Sequence, residues 1–286
     1  MTITTGINRT NSRKHLLLHM TCIVGISIAM TACSDSDNGG GATTGTATGT
    51  TTGTTTGTSD PAPIVSAAQF TDEFSVDSLN GWTLRHQAEG EQAQYSLLDI
   101  NQTNPGMLTI VPTQTPGWFE AGKAPLIYKR VTGNFSVETS VITQGEANAA
   151  LPPGNDFNAA GLMARYTSGS GENYVVVNVG RQDGTITGFL GSEAKNTTNS
   201  ISALELQSGS TSGRLTLCRI GANFTVYRQL DNEIQWTQIG AITRNDFPET
   251  AQVGMMVNGY LAADIRATFD YVRMRVPATE ADCTVN

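Results

Sequence analysis

Histidine is nearly absent. Of the 3 histidines in 286 residues, His15 and His19 fall in a basic and apolar N-terminal segment, which leaves His86 alone in the rest of the chain. A serine–histidine triad or a histidine-rich metal site would have to be built on that one side chain. It lies next to Arg85 in a strand-like stretch and reads as a structural residue. Basic residues are also scarce: 17 Lys and Arg face 25 Asp and Glu, a net charge of −8. Loss of the N-terminal segment with Arg9, Arg13 and Lys14 would lower that to −11. An acidic surface repels phosphate backbones and anionic headgroups, which excludes nucleic acid as a partner and a basic patch as a membrane anchor. No segment holds a sustained 3.6-residue period, so a parallel α/β fold is disfavoured. Charged residues make up only 15% of the chain, while Thr, Ser, Asn and Gly abound. That bias suits strands and loops.

What the N-terminus does have is an export signal. Arg9, Arg13 and Lys14 precede an apolar run from Leu16 to Met30. About 15 residues is short of the ~20 that span a bilayer. The run ends Met30-Thr31-Ala32-Cys33, which resembles the lipobox of bacterial lipoproteins, with Met30 in place of the usual Leu. The resemblance implies cleavage after residue 32 and a diacylglycerol on the Cys33 sulfur, with a further acyl chain on its amine. Two or more chains hold a protein stably where one is marginal. Ser34 in place of Asp implies transfer to the outer membrane. The expected address is therefore the cell envelope, with the protein tethered by lipid at the outer membrane.

Residues 33–60 form a tether. Gly45, Gly49, Gly53 and Gly57 recur every four residues among threonines, and nothing larger than Thr is available to bury. Such a tract cannot offset the entropy of ordering. Its coil dimension is roughly 30 Å. The folded domain is expected over 61–277, with a tail at 278–286.

Within that domain, period-2 alternation recurs between turn residues. Phe135, Val137, Thr139 and Val141 share one face; Leu215 and Leu217 oppose Thr216 and Cys218; Phe269, Tyr271 and Arg273 alternate with Asp270, Val272 and Met274. Further strands are expected at Trp82–Gln87, Tyr95–Ile100, Met107–Val111, Pro125–Val131, Gly161–Tyr166, Tyr174–Val179, Thr185–Leu190, Phe224–Arg228, Ile234–Ile239 and Gln252–Val257. Asp183-Gly184, Gly221-Ala222-Asn223 and Asp231-Asn232 supply turns. Roughly thirteen short strands predict an all-β fold, a two-sheet antiparallel β-sandwich.

The segments Asp72-Glu73-Phe74, Leu79-Asn80-Gly81-Trp82, Gly117-Trp118-Phe119, Ala160-Gly161-Leu162-Met163-Ala164-Arg165, Asn173-Tyr174-Val175 and Ala267-Thr268-Phe269-Asp270-Tyr271-Val272 occur in an order that resembles bacterial concanavalin A-like jelly rolls. That resemblance implies a lectin or glucanase sandwich related to glycoside hydrolases and carbohydrate-binding modules. Retaining glycosidases need two carboxylates ~5–5.5 Å apart. The alternating Glu and Asp of the retaining members is absent here. The acids spaced two apart, Glu89/Glu91 and Asp231/Glu233, fall at expected turns and read as solvated hairpin tips. No catalytic residue is assigned.

For ligand binding, Trp118 and Phe119 sit in a loop after Pro116-Gly117, where rings can stack on the apolar face of a pyranose. Tyr166, Tyr174 and Tyr260 are the candidates for the rest of such a face. Jelly rolls of this kind often carry structural calcium; Asp72 and Asp270, in the first and last strands, are the only oxygen donors that suggest it. No cofactor is expected. Cys22 leaves with the signal and Cys33 takes lipid, so Cys218 and Cys283 are expected to form a disulfide outside the cytoplasm. The favoured reading is a non-catalytic, carbohydrate-binding lipoprotein. The alternatives are a diverged glycoside hydrolase or lyase of the same fold, and a structural or adhesion protein of the envelope.

Overall fold

The computed structural model describes Asp60 and residues 62–168, 171–183, 189–260 and 262–284. The export segment, Cys33 and the tether up to residue 59 lie outside the described residues, as does Gly184 of the expected turn. Strands form at β1 (Thr83–Leu84), β2 (Tyr95–Ile100), β3 (Leu108–Pro112), β4 (Leu126–Thr132), β5 (Phe135–Gln144), β6 (Asn158–Ser168) and β7 (Gly171–Asp183). They continue with β8 (Phe189–Thr198), β9 (Ile201–Ser208), β10 (Ser212–Ile220), β11 (Asn223–Leu230), β12 (Thr237–Thr243), β13 (Thr250–Gly259) and β14 (Arg266–Arg275). Two antiparallel seven-stranded sheets result. Sheet A runs β1-β4-β13-β6-β7-β8-β9 and sheet B runs β12-β11-β10-β5-β14-β3-β2. This is the two-sheet β-sandwich that the alternation predicts and the jelly roll that the resemblance implies.

The alternation in sheet A divides between two cores. Val175, Val177 and Val179 of β7, Ala160, Leu162 and Ala164 of β6, and Val253, Met255 and Val257 of β13 face sheet B and fill the space between the sheets. The residues between them, Tyr174, Val176, Met163 and Met256, point the other way into a second apolar cluster with Trp118, Leu126 and Tyr128. Both faces of the central strands are therefore buried, which is why Tyr174–Val179 reads as an almost continuous apolar run.

Three stretches differ from the expectation. Trp82–Gln87 is not one strand: a 3-10 turn at Leu79–Gly81 leads into the two-residue β1 and then a short helix, α1 (Arg85–Ala88). The helical turn lets Arg85 reach Glu89 four residues on, at 2.9 Å, a pairing that strand geometry does not offer. The edge strand β9 escapes the sequence pattern because none of its eight residues is fully buried. The strand expected at Ile234–Ile239 instead begins at Thr237. Residues 185–188 of the strand expected at Thr185–Leu190 lie outside the described residues.

The expected disulfide is present. Cys218 and Cys283 are joined with a Cα–Cα distance of 5.6 Å. Cys218 lies on the outer face of sheet B, opposite Leu215 and Leu217, and the tail closes over it. Ser136 Oγ donates to the Cys283 carbonyl at 2.8 Å, and Asp282 is capped onto Thr279.

Candidate functional site

The outer face of sheet A is covered by the loop between β3 and β4. Thr115 N donates to the Gly259 carbonyl at 3.0 Å, which starts the loop alongside β13. Gly117 adopts a left-handed φ of +75° and turns the chain inward, a conformation glycine takes without steric cost. Trp118 then enters the sheet. Its backbone N–H donates to Asn258 Oδ1 at 2.7 Å, its carbonyl accepts from Lys195 Nζ at 2.7 Å, and its indole N–H donates to the Pro125 carbonyl at 3.2 Å.

Trp118 is 0% exposed. The guanidinium carbons of Arg85 and Arg165 lie 5.6 and 5.5 Å from its ring centroid, and Tyr174 meets it edge-on at 5.5 Å. This corrects the sugar-stacking role expected for Trp118: its ring is the plug of the second core. Tyr174 is likewise wholly buried, and burial pushes its hydroxyl up to about 12. Tyr166 lies on the opposite face of sheet A, packed edge-on against Phe247 at 4.7 Å with its hydroxyl on Asp246. Of the five expected binding residues, Phe119 is brought to an open surface, at 47% exposure, and Tyr260 is half-buried beside it.

Phe119 borders an open groove of about 610 Å³. The loop forms one wall, Leu204 and Leu206 of β9 the second, and Phe157 and Tyr260 the third, with Lys195 and Asn258 at its buried end. Phe157 and Tyr260 pack edge to face at 5.8 Å. Tyr260 thus joins Phe119, whereas Phe157 was missed by sequence reasoning. Its signal was weak: a lone aromatic in a Pro- and Gly-rich loop. The loop wall is fixed to β9 by Glu120 N–H, which donates to Ser202 Oγ at 2.8 Å from a left-handed backbone (φ +52°).

Beside the plug lies an ion network that the sequence did not reveal. Arg165 is 0% exposed and grips Glu172 through two N–H donors at 2.7 and 2.9 Å. It also donates to Glu89 Oε1 at 2.5 Å. Lys123 Nζ lies 2.7 Å from Glu89, 3.1 Å from Glu91 and 3.7 Å from Glu172. Glu89 and Glu91 are therefore not the solvated tips expected of them. Burial opposes ionisation of Glu89, but Arg165, Lys123 and Arg85 outweigh it and bring its carboxyl down to about 2. A general acid needs the opposite shift, so this cluster is built to stay charged. The second acidic pair is also engaged: Glu233 lies 2.9 Å from Arg228, and Asp231 accepts from Ser212.

His86 sits in α1 with its ring against Tyr95 at 5.2 Å, and burial followed by the neighbouring Arg85 lowers its pKa. Asp72 is not free to bind calcium. Its carboxylate accepts from Phe74 N–H, Ser78 Oγ and Trp82 Nε1, at 2.9, 2.6 and 2.9 Å. Asp270 is exposed at the β14 bulge. Among the described residues, no group of three or more His, Cys, Asp or Glu is placed to hold a metal ion.

No protein-family model matches the chain, and no curated protein matches its sequence. Solved structures do share the fold. A protein of unknown function from Saccharomyces cerevisiae superposes with a TM-score of 0.53 at 14% identity, covering 70% of this chain and 99% of that one. A GH43 protein from Bacillus licheniformis gives 0.55 at 15%, covering 73% of this chain and 39% of that one. A xylan β-1,4-xylosidase from Bacillus halodurans gives 0.54 at 19%, covering 72% and 38%. The chain spans about two fifths of the length of those two hydrolase structures. At these identities the likeness is one of fold.

Proposed function

We propose that this is a non-catalytic carbohydrate-binding β-sandwich, held to the outer membrane by lipid on Cys33, that receives a glycan in the groove bordered by Phe119. One observation carries the reading: Phe119, Phe157 and Tyr260 present aromatic surface to one groove of about 610 Å³. That volume lies in the range of ~300–1,000 Å³ typical of small-ligand sites, which combine apolar walls with a few polar groups. Sugar rings offer an apolar face to such walls and hydroxyls to groups such as Asn258. The sandwich shared with glycoside hydrolases supports the ligand class, and the salt-bridged state of Glu89 supports the absence of catalysis.

The test is a glycan array probed with the full chain in detergent. Binding to a polysaccharide class, lost in Phe119→Ala and in Tyr260→Ala, is the expected result. No binding to any class, or binding indifferent to both substitutions, overturns the assignment.

A further inference from the structure

The register of β7 against β8 sets Asn178 opposite Glu193, and Lys195 follows Glu193 by two residues on the same face. These side chains are almost wholly withdrawn from solvent, at 0%, 1% and 2% exposure. They converge on one atom. Glu193 Oε1 accepts from Asn178 Nδ2 at 2.9 Å and stands 2.8 Å from Lys195 Nζ. The other end of the Asn178 amide is engaged too. Gln182 Nε2 donates to Asn178 Oδ1 at 2.8 Å and to the Gly191 carbonyl at 3.0 Å.

A structural ion pair needs only Lys195 and Glu193. The four side chains together supply each part of an acyl transfer. Lys195 is a nucleophile beside a carboxylate that can take its proton. Asn178 is a carbonyl whose oxygen already faces an N–H donor, the arrangement that stabilises developing negative charge. Its leaving nitrogen is already hydrogen-bonded to the group that must protonate it.

We propose that Lys195 and Asn178 form a side-chain amide bond autocatalytically, with Glu193 as the proton shuttle and Gln182 as the oxyanion donor. Glu193 takes a proton from the Lys195 ammonium. The freed Nζ electron pair attacks Asn178 Cγ, and the charge that grows on Oδ1 is held by Gln182 Nε2–H. The Cγ–Nδ2 bond then breaks. Of the two protons that Nζ gives up, Glu193 passes one to Nδ2 and the other departs with it, so the nitrogen leaves as ammonium. The new amide keeps one N–H on Nζ, enough to retain the donor to the Trp118 carbonyl that holds the plug. No oxidant or cofactor enters the balance. The bond would cross-link β7 to β8 behind the buried end of the groove.

Mass spectrometry of the full chain after disulfide reduction and trypsin digestion tests this. The expected result is that trypsin fails to cut after Lys195, and that peptides 166–181 and 182–214 appear joined, about 17 Da lighter than their sum. Lys195→Arg and Glu193→Gln should each return the separate peptides. Normal cleavage after Lys195, with peptides 166–181, 182–195 and 196–214 at full mass, overturns the proposal. A loss of about 18 Da, the mass of water, would place the bond on Glu193 and overturn the assignment to Asn178. A cross-link that persists in Glu193→Gln overturns the shuttle role.

Discussion

Trp118 and Phe119 are neighbours with opposite fates, and the difference can be measured. The Trp118 ring is buried between two guanidinium groups and Tyr174, while Phe119 is 47% exposed. Removing a buried indole costs transfer energy and leaves a cavity, about 3–5 kcal/mol. It would also strip two buried arginines of a cation–π partner. Denaturant unfolding should therefore show Trp118→Ala less stable by about that amount. Phe119→Ala should stay within ~1 kcal/mol of the parent, because its ring is half exposed and its proposed role is in ligand binding. Equal losses for the two would mean that Phe119 is structural as well.

Glu89 makes a second residue-scale prediction. Its carboxyl sits near about 2 in the folded protein, below the ~4.3 of an unfolded glutamate. The ionised network thus adds stability that is fully present above ~4.3 and is lost as pH falls toward about 2. Stability followed by urea titration across that window should drop steeply in the parent. In Glu89→Gln it should start lower and fall less steeply. Equal slopes would show that Glu89 does not couple to folding.

At the scale of elements, the tail is held to sheet B by one covalent link. Cys218 and Cys283 are separated by 65 residues, and a cross-link over that length restrains the unfolded chain by about 4 kcal/mol. Cys283→Ser should lose stability of that order and expose residues after Arg275 to protease. Undiminished stability would mean that the hydrogen bonds of Ser136 and Asp282 suffice. This link was legible in the sequence, because the expected export signal and lipid left only Cys218 and Cys283 to pair. So were most strands, since Val137, Leu215 and Phe269 mark a face by simple alternation. The edge β9 was not, because its residues are too exposed for alternation to select among them. Nor was the second core. Alternation tells which residues share a face, but not that a distant loop will return to cover it. For the same reason Arg165 and Glu172 looked like ordinary strand polars, although they face each other beneath the plug. The 3-10 turn and α1 were hidden because Trp82–Gln87 carries a strand-like composition, and only the tertiary partners of Arg85 select the helical turn.

At the scale of the whole molecule, the proposed address and the acidic surface bear on one another. With the proposed cleavage after residue 32, the remaining chain would carry −11 and have no attraction to anionic lipid. The proposed attachment would then rest on acyl chains, of which at least two are needed for stability. Labelled palmitate should be incorporated by the parent and not by Cys33→Ser. The labelled protein should stay with membranes through a high-salt wash, which would strip an electrostatic contact screened within ~10 Å, and should enter solution with detergent. Ser34→Asp should shift the labelled chain from outer- to inner-membrane fractions on a density gradient. Absence of label in the parent would remove the anchor.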